Sequence, residues 1–256
     1  MMECQSFLEY GTCSNGYCEE LHATPSPVVP HGKTIIAAGP ERSASTWLFN
    51  AIRLLFAHSN EPLDAYWIAD VSKEKLAARG AGHKNLLIKT HDWPLREDNG
   101  DLVHGDGGSN RETVVIVTHR DLRDVVASYL RVRWISSAPD SICAHMEAYV
   151  RDHLRWASIA SLNIGYERIM SDELGALRDV AACCGLPTDP FEALEAVKRS
   201  VKALQPPMYG SPCPVSKLWP EHLSGETQNR RHLLSERLRQ RIHDQFVDYQ
   251  RVYGYA

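Results

Sequence analysis

Residues 39–47 have the composition of an anion-binding turn between a strand and a helix. They follow a short apolar run, and a turn that enters a helix N-terminus points backbone N–H groups at an anion. Compared with the nucleotide-binding pattern Gly-x4-Gly-Lys-Ser/Thr, Ala44 replaces the second glycine, Ser45 replaces the lysine, and Arg42 stands inside the turn. The segment indicates either an anion site that does not hydrolyse nucleoside triphosphates with magnesium, or a plain strand-to-helix turn with a Ser/Thr cap.

Two further segments place basic and hydroxyl side chains after apolar runs. Lys89-Thr90-His91 follows one apolar run, and Arg120 to Ser128 follows another. An imidazole can move a proton, and guanidinium and hydroxyl groups can hold phosphate oxygens. A lone histidine at a strand end is more often structural, but three such segments converging on one edge are harder to explain in that way. Together they predict one anion-binding site with a candidate base.

The elements that must position these segments are short buried strands alternating with helices. Strands are predicted at Lys33–Ala38, Leu86–Ile88, Thr113–Val117 and Leu162–Tyr166. Helices are predicted from Thr46 onward, at Asp124–Val132, Ile142–Ile159 and Glu173–Cys184, and after the N-cap Ser235 with Leu238, Ile242, Phe246 and Tyr249 on one face. This alternation predicts an α/β fold with a central parallel sheet flanked by helices, in which ligands bind at the carboxyl ends of the strands.

The composition is that of a folded protein without an extended basic surface. Hydrophobic residues make up 43% and charged residues 23% of the 256 residues, and the net charge is −4. Bulk electrostatic binding of nucleic acid is therefore not indicated. The sequence has no run of about 18 apolar residues, and its start lacks the basic region of a secretory signal. We expect a cytoplasmic protein without a membrane partner.

The N-terminal residues carry a set of possible zinc ligands. Cys4, Cys13, Cys18 and His22 supply the three thiolates and the imidazole of a tetrahedral structural site. Their spacing resembles that of a CCCH zinc finger, whose third gap is usually one residue longer, and a disordered tail with free thiols is the alternative. The other cysteines are scattered along the chain and are predicted to be buried small apolar side chains rather than a disulfide framework: Cys143, Cys183, Cys184 and Cys213.

CCCH fingers commonly bind single-stranded RNA, but the charge of this segment opposes it. Residues 1–32 contain glutamates and neither lysine nor arginine, so a phosphate backbone meets repulsion. RNA binding is not expected, and a structural or protein-contact role is preferred. The predicted organisation is a zinc-finger-like segment at residues 1–24, a proline-rich linker at 25–32 and an α/β domain at 33–256.

The α/β domain resembles the sulfotransferases that depend on 3′-phosphoadenosine 5′-phosphosulfate (PAPS), which have a P-loop-like fold. Arg42-Ser43-Ala44-Ser45-Thr46-Trp47 is similar to the 5′-phosphosulfate loop in the form Arg-Ser-Gly-Ser-Thr of a related branch of the family, with Ala44 in the place of glycine. Lys89-Thr90-His91 matches the Lys-Thr-His segment that carries the family's catalytic histidine.

Three further segments extend the resemblance toward the C-terminus. The family's 3′-phosphate segment Arg-x-x-Arg/Lys-Asp-x-x-x-Ser is matched by Arg120, Arg123, Asp124 and Ser128. Tyr166-Glu167-Arg168 is similar to the family's Tyr-Glu-Asp, from which Arg168 departs, and Leu223-Ser224-Gly225 keeps only the glycine of its Arg-Lys-Gly segment.

The resemblance implies a role for each matched residue. His91 would be the general base, and Arg42 and Lys89 would neutralise charge on the sulfuryl group and the bridging oxygen. The 5′-phosphate would be held by the backbone N–H groups of Ser43, Ala44, Ser45, Thr46 and Trp47, and the 3′-phosphate by Arg120 and Ser128. Trp47 and Tyr166 would flank the adenine, with core packing as the alternative for Trp47. Arg230 or Arg231 would complete the 3′-phosphate site, and His119 is the first alternative base.

The function implied is that of an enzyme, a sulfotransferase that moves a sulfuryl group from PAPS to a hydroxyl or amine of a small-molecule acceptor. An RNA-binding CCCH protein with a degenerate α/β domain and a P-loop kinase or NTPase are the alternatives. The acceptor is not readable, although Trp67, Trp93, Trp134 and Trp156 suggest an apolar or flat pocket if they are not core residues. The sequence does not indicate the oligomeric state.

Overall fold

The computed structural model describes residues 32–67, 84–91, 93, 112–189, 191–208, 210–219 and 233–255. The four proposed zinc ligands, Leu223-Ser224-Gly225, Arg230 and Arg231 lie outside these residues. In the part of the chain that the structure describes, no helix is both long enough and apolar enough to cross a membrane.

A parallel sheet of five strands forms the centre of the domain. The strands are β1 (Thr34–Ala38), β2 (Leu63–Trp67), β3 (Asn85–Thr90), β4 (Thr113–His119) and β5 (Leu162–Gly165). Their order across the sheet is β2-β3-β1-β4-β5, and every pairing is parallel. The carboxyl ends of β3, β1 and β4 are therefore neighbours.

Eight helices connect and cover the strands in the described residues. They are α1 (Ser45–His58), α2 (Leu122–Val132), α3 (Pro139–Ala157), α4 (Tyr166–Ser171), α5 (Glu173–Cys184), α6 (Phe191–Ala203), α7 (Glu236–Gln245) and α8 (Val247–Val252). Side-chain caps fix three of the helix starts, because Asp121, Asp172 and Ser235 accept backbone N–H bonds in the first turns of α2, α5 and α7.

The sheet is buried on both faces because its strands alternate between two apolar layers. Ile35 and Ala37 of β1 pack with α1, α5 and α6, whereas Ile36 and Ala38 pack with Val115, Val117 and Trp156 on the other side. Neighbouring residues of a strand point to opposite faces, so a continuous apolar run is what a strand covered on both sides requires. The predicted parallel α/β architecture is confirmed.

Several element boundaries differ from the predictions for local physical reasons. β5 ends at Gly165, and Tyr166 begins helix α4 instead of ending a strand. The predicted last helix is wrong beyond Gln245, because the backbone of Phe246 (φ −120°, ψ 30°) separates α7 from α8. Strand β2 was not predicted, since an edge strand is only half-buried and its sequence lacks a continuous apolar run.

The cysteines of the α/β domain are all free thiols. Cys143 and Cys184 are buried, as predicted for small apolar side chains, whereas Cys183 and Cys213 are only half-buried. Cys183 and Cys184 are consecutive residues at the end of α5, where neighbouring side chains diverge around the helix.

Candidate active site

The loop between β1 and α1 is held against β4 by a close backbone approach. A Cβ on Gly39 would lie 2.4 Å from Thr118 Oγ1, so only glycine fits at this position. Ser43 is completely buried, and its hydroxyl donates to the Pro40 carbonyl at 2.6 Å and pairs with Thr118 Oγ1 at 2.8 Å. The side chain of Ser43 therefore fixes the shape of the loop from inside.

Two residues of this loop have left-handed backbone conformations. Arg42 has φ 64° and Ala44 has φ 77°, in the region that glycine adopts most easily. Ala44 immediately precedes α1 and makes no side-chain cap, so the predicted alternative of a Ser/Thr-capped turn is wrong. Because no side chain caps this helix start, the first N–H groups of α1 are open to an anion.

Two arginines meet at this loop. Arg42 Nε donates to Ser128 Oγ at 2.8 Å, and Arg120 Nη1 donates to the Arg42 carbonyl at 3.3 Å. The Arg120 guanidinium also stacks on the ring of Tyr166, with its Cζ 3.8 Å from the ring centroid. Burial, and then the charges of Arg131 and Arg120, lower the pKa of Arg42 to about 10. Like charges held this close favour an anion between them.

The Nε atom of Arg120 is a second feature that favours an anion here. Its Nε is buried and has no hydrogen-bond partner among the residues that the structure describes. A buried guanidinium N–H without an acceptor costs free energy unless a ligand supplies one.

Lys89 is the third cation of the site. It is the penultimate residue of β3, with only 3% of its surface exposed, and its Nζ donates to Thr46 Oγ1 in the first turn of α1 at 2.8 Å. Burial lowers the pKa of Lys89 to about 8, with Lys217 adding to the shift and Glu41 opposing it. Lys89 thus places an ammonium group beside the open N-terminus of α1.

His91 is held in one tautomer by the loop. Its Nδ1 lies 2.7 Å from the Gly39 carbonyl, which can only accept, so Nδ1 carries the proton and Nε2 keeps a free lone pair. Burial, and then the charge of Lys89, lower the pKa of His91 to about 4. The imidazole is therefore neutral near pH 7 and able to accept a proton at Nε2.

The proposed site residues share one cavity of about 810 Å³. Among the residues that the structure describes, its lining includes every proposed donor-binding and catalytic residue except the inward-facing Ser43, namely Arg42, Ala44, Ser45, Thr46, Trp47, Lys89, His91, Arg120, Ser128 and Tyr166. Trp47 is not simply core, because it lines the cavity and its Nε1 donates to Glu173 Oε1 at 3.0 Å. The expectation that three strand ends meet at one edge is therefore met by the geometry.

Other cavity residues were missed by the sequence reasoning. Arg131 lies one helical turn beyond Ser128 on α2, so helical spacing could have found it. Glu41 accepts a hydrogen bond from Tyr129 Oη at 2.9 Å, and its position inside the loop was the available signal. Lys217 comes from a distant segment and gave no motif signal.

The segment that carries Lys217 is tied to α1. Asn50 is buried, and its Nδ2 donates to the Ser216 carbonyl at 2.8 Å. Trp219 follows and meets Trp134 edge-on, with ring centroids 6.4 Å apart, while the Arg42 guanidinium lies 5.4 Å from the Trp134 ring. Trp134 and Trp219 form an aromatic wall beside the cations.

The tryptophans singled out from the sequence divide into two groups. Trp67 and Trp134 line the cavity, and the ring of Trp67 lies 6.4 Å from that of His91. Trp156 is buried in the core and packs edge-on against Trp93, with ring centroids 4.8 Å apart. Only the first two can contribute to an acceptor pocket.

His119, the alternative base, lies elsewhere. Its Nδ1 is 2.8 Å from Tyr255 Oη, and its ring packs against Tyr253 and His153. It does not line the cavity. Among the described residues, no group of three or more His, Cys, Asp or Glu side chains could hold a metal ion.

The fold and the loop define a P-loop-like α/β protein, and solved structures agree. No protein-family model and no curated protein sequence matches the chain. A mouse sulfotransferase complexed with PAP is similar with a TM-score of 0.56 at 12% identity, over 85% of this chain and 84% of that chain. A retinol dehydratase in a complex with retinol and PAP is similar with a TM-score of 0.53 at 12% identity, over 86% of this chain and 82% of that chain. The fold is therefore the α/β fold of sulfotransferases.

Proposed function

We propose that the chain is a PAPS-dependent sulfotransferase that acts on a hydroxyl or amine of a small molecule. The observation that carries the proposal is the cluster of three cations, Arg42, Arg120 and the buried Lys89, around the uncapped N-terminus of α1. The unpartnered Nε of Arg120 supports an anionic ligand at this place. The two fold neighbours bind PAP, the desulfated form of PAPS, and this supports the same nucleotide here.

Each phosphate of the donor has a matching group of residues. The N–H groups at residues 43–47 and the Lys89 ammonium would bind the 5′-phosphosulfate, because a helix N-terminus and a cation both favour negative charge. Arg120 and Ser128 would bind the 3′-phosphate, the guanidinium through charge-assisted bonds and the hydroxyl as an added donor. Trp47 and Tyr166 line the cavity and would flank the adenine.

His91 would act as the general base. Bound PAPS supplies a sulfuryl group whose bond to the bridging phosphate oxygen breaks as the acceptor attacks. The neutral Nε2 of His91 would take the acceptor's proton, and the negative charge of the donor raises the pKa of the imidazole as it does so. Lys89 would stabilise the charge that grows on the leaving oxygen.

The acceptor would lie between the aromatic wall of Trp134 and Trp219 and the ring of Trp67. Trp67, Trp134 and Trp219 line the cavity and can bury a flat or apolar body near His91. The retinol in one of the fold neighbours is a small apolar alcohol and supports an acceptor of this kind.

A thermal-shift comparison tests the donor. PAP should raise the melting temperature of the full chain without magnesium, whereas ATP should do so much less because it has no 3′-phosphate. Equal or greater stabilisation by magnesium-ATP would overturn the sulfotransferase proposal in favour of a kinase or NTPase. Short single-stranded RNA should give no shift.

A further inference from the structure

Residues near the C-terminus form hydrogen bonds with the turn that carries Arg120. Tyr249 Oη donates to the Arg120 carbonyl at 3.4 Å, and Gln250 Nε2 donates to Asp121 Oδ1 at 3.1 Å. Arg123, which forms an ion pair with the buried Asp121, donates to the Tyr255 carbonyl. The turn after β4 is thus fixed by a segment far along the chain.

The phenol of Tyr255 connects the turn after β4 with the first turn of α4. Tyr255 Oη donates to Glu167 Oε2 at 2.6 Å, and His119 Nδ1 lies 2.8 Å from Tyr255 Oη. Because the single hydroxyl proton goes to the carboxylate, His119 donates to the phenol through Nδ1. The other oxygen of Glu167 accepts from Asp121 N at 3.5 Å. His119 precedes Arg120 and Glu167 follows Tyr166, so Tyr255 ties both turns together.

Gly165, at the end of β5, packs against this bridge. A Cβ on Gly165 would lie 3.1 Å from His119 Cε1 and 3.4 Å from Tyr255 Oη, so the end of β5 fits tightly against both side chains. Burial lowers the pKa of His119 to about 4, which keeps the imidazole neutral and the bridge in a single proton arrangement near pH 7. A polar group with defined partners holds its neighbours in one geometry.

We propose that Tyr255 is a positioning residue that holds the stacked pair of Arg120 and Tyr166 in the geometry that binds the 3′-phosphate of the donor. It does not line the cavity and acts through His119 and Glu167. The inference rests on the proposed function and adds a residue that no motif comparison indicated. Without the phenol oxygen, Glu167 loses a donor and His119 loses an acceptor, which leaves the longer bond from Asp121 N to Glu167 between the two segments.

The test compares Tyr255→Phe with Tyr253→Phe in the full chain. Tyr253 belongs to the same aromatic cluster, but its hydroxyl bonds His153 Nε2 of α3 at 2.9 Å. Affinities for PAP and for 5′-AMP, which lacks the 3′-phosphate, are measured by calorimetry together with the melting temperature. Tyr255→Phe should weaken PAP about tenfold and 5′-AMP much less, because 5′-AMP shares only the adenine contact of Tyr166, whereas Tyr253→Phe should change neither affinity. An equal loss for both nucleotides, or no loss for PAP, would overturn the positioning role.

A double variant separates positioning from a general loss of stability. If Tyr255 acts through Arg120, Tyr255→Phe should cost no further PAP affinity in an Arg120→Ala background. Additive losses would overturn the inference while the proposed function stands. Absence of PAP binding by the wild-type chain would instead overturn the proposed function, and the inference with it.

Discussion

Arg42 Nε donates to Ser128 Oγ at 2.8 Å, which joins the loop after β1 directly to helix α2. Arg42 is proposed to act on the sulfuryl group and Ser128 to bind the 3′-phosphate, so this bond sets the distance between the two ends of the donor site. Ser128 Oγ accepts from Arg42 and keeps its own hydroxyl proton to donate to a phosphate oxygen. Because the groups already face each other, little rearrangement is needed for binding.

Removing the 3′-phosphate contacts should weaken donor binding. Arg120→Ala should reduce PAP affinity by about 1.5–3 kcal/mol, because the lost bonds are charge-assisted. Ser128→Ala should cost less, since a neutral hydroxyl is lost. Arg151→Ala, on the exposed side of α3, is the matched control and should bind PAP normally. Calorimetric titration with PAP measures all three, and unchanged affinity in both site variants would contradict the assignment of this segment.

Ala44→Gly should stabilise the fold without changing the site. An alanine in the left-handed conformation costs roughly 1–2 kcal/mol, which glycine avoids. Glycine also has more conformational freedom in the unfolded chain, and this reduces the gain in stability by roughly 0.5–1 kcal/mol. A net gain below about 1 kcal/mol in the free energy of unfolding is expected, with PAP affinity unchanged. Ala51→Gly, within α1, should instead destabilise by about 1 kcal/mol or more. Urea unfolding compares them, and similar losses in both variants would refute the strain argument.

His91→Ala should separate turnover from binding. Loss of a general base lowers turnover by roughly 10²–10⁴-fold, while PAP contacts other residues and should keep its affinity. Single-turnover sulfuryl transfer and PAP titration measure the two quantities. His58→Ala, in the last turn of α1, provides a histidine control that should leave both unchanged. Wild-type turnover of His91→Ala would exclude the base role.

Donor affinity should fall in mildly alkaline solution. The pKa of Lys89 is lowered to about 8, so the free protein loses this positive charge as pH rises through about 8. PAP affinity should therefore decrease between pH 7 and pH 9. Lys89→Arg keeps its charge over this range, because an arginine guanidinium titrates far higher, and should show a flatter profile. Parallel profiles for both proteins would indicate that Lys89 does not contact the donor.

The cysteine-rich N-terminal segment should bind zinc. Elemental analysis of the full chain should find about one zinc per chain, because Cys4, Cys13, Cys18 and His22 supply a tetrahedral ligand set. Deletion of residues 1–24 should remove the zinc and leave PAP binding intact, since the proposed phosphate contacts all lie beyond residue 33. Loss of PAP binding on deletion would place the segment within the catalytic fold.

The sequence predicts best those parts of the site in which polar residues directly follow an apolar strand. The apolar runs of β1, β3 and β4 identify central strands, and each is followed directly by the polar residues that line the cavity, such as Arg42, His91 and Arg120. Parallel strands deliver their carboxyl ends to one edge, so this part of the site follows from order along the chain.

Other parts of the site depend on tertiary contacts that leave no local pattern. Lys217 reaches the cavity because Asn50 binds the carbonyl of Ser216, and nothing near Asn50 in sequence indicates that partner. The bridge from Tyr255 to Glu167 is likewise made by residues far apart in the chain. Strand β2 was missed because an edge strand is patterned less strongly than a central one.

The central place of β1 also sets the order in which the molecule can assemble. β1 pairs with β3 and β4, both of which follow it only after long stretches of chain, and such distant pairings are slow to form. The cations are brought together only when all three strands are in register, whereas the helices can form from local contacts. During refolding, helical signal should therefore return before the capacity to bind PAP, which makes nucleotide binding a late reporter of the completed sheet.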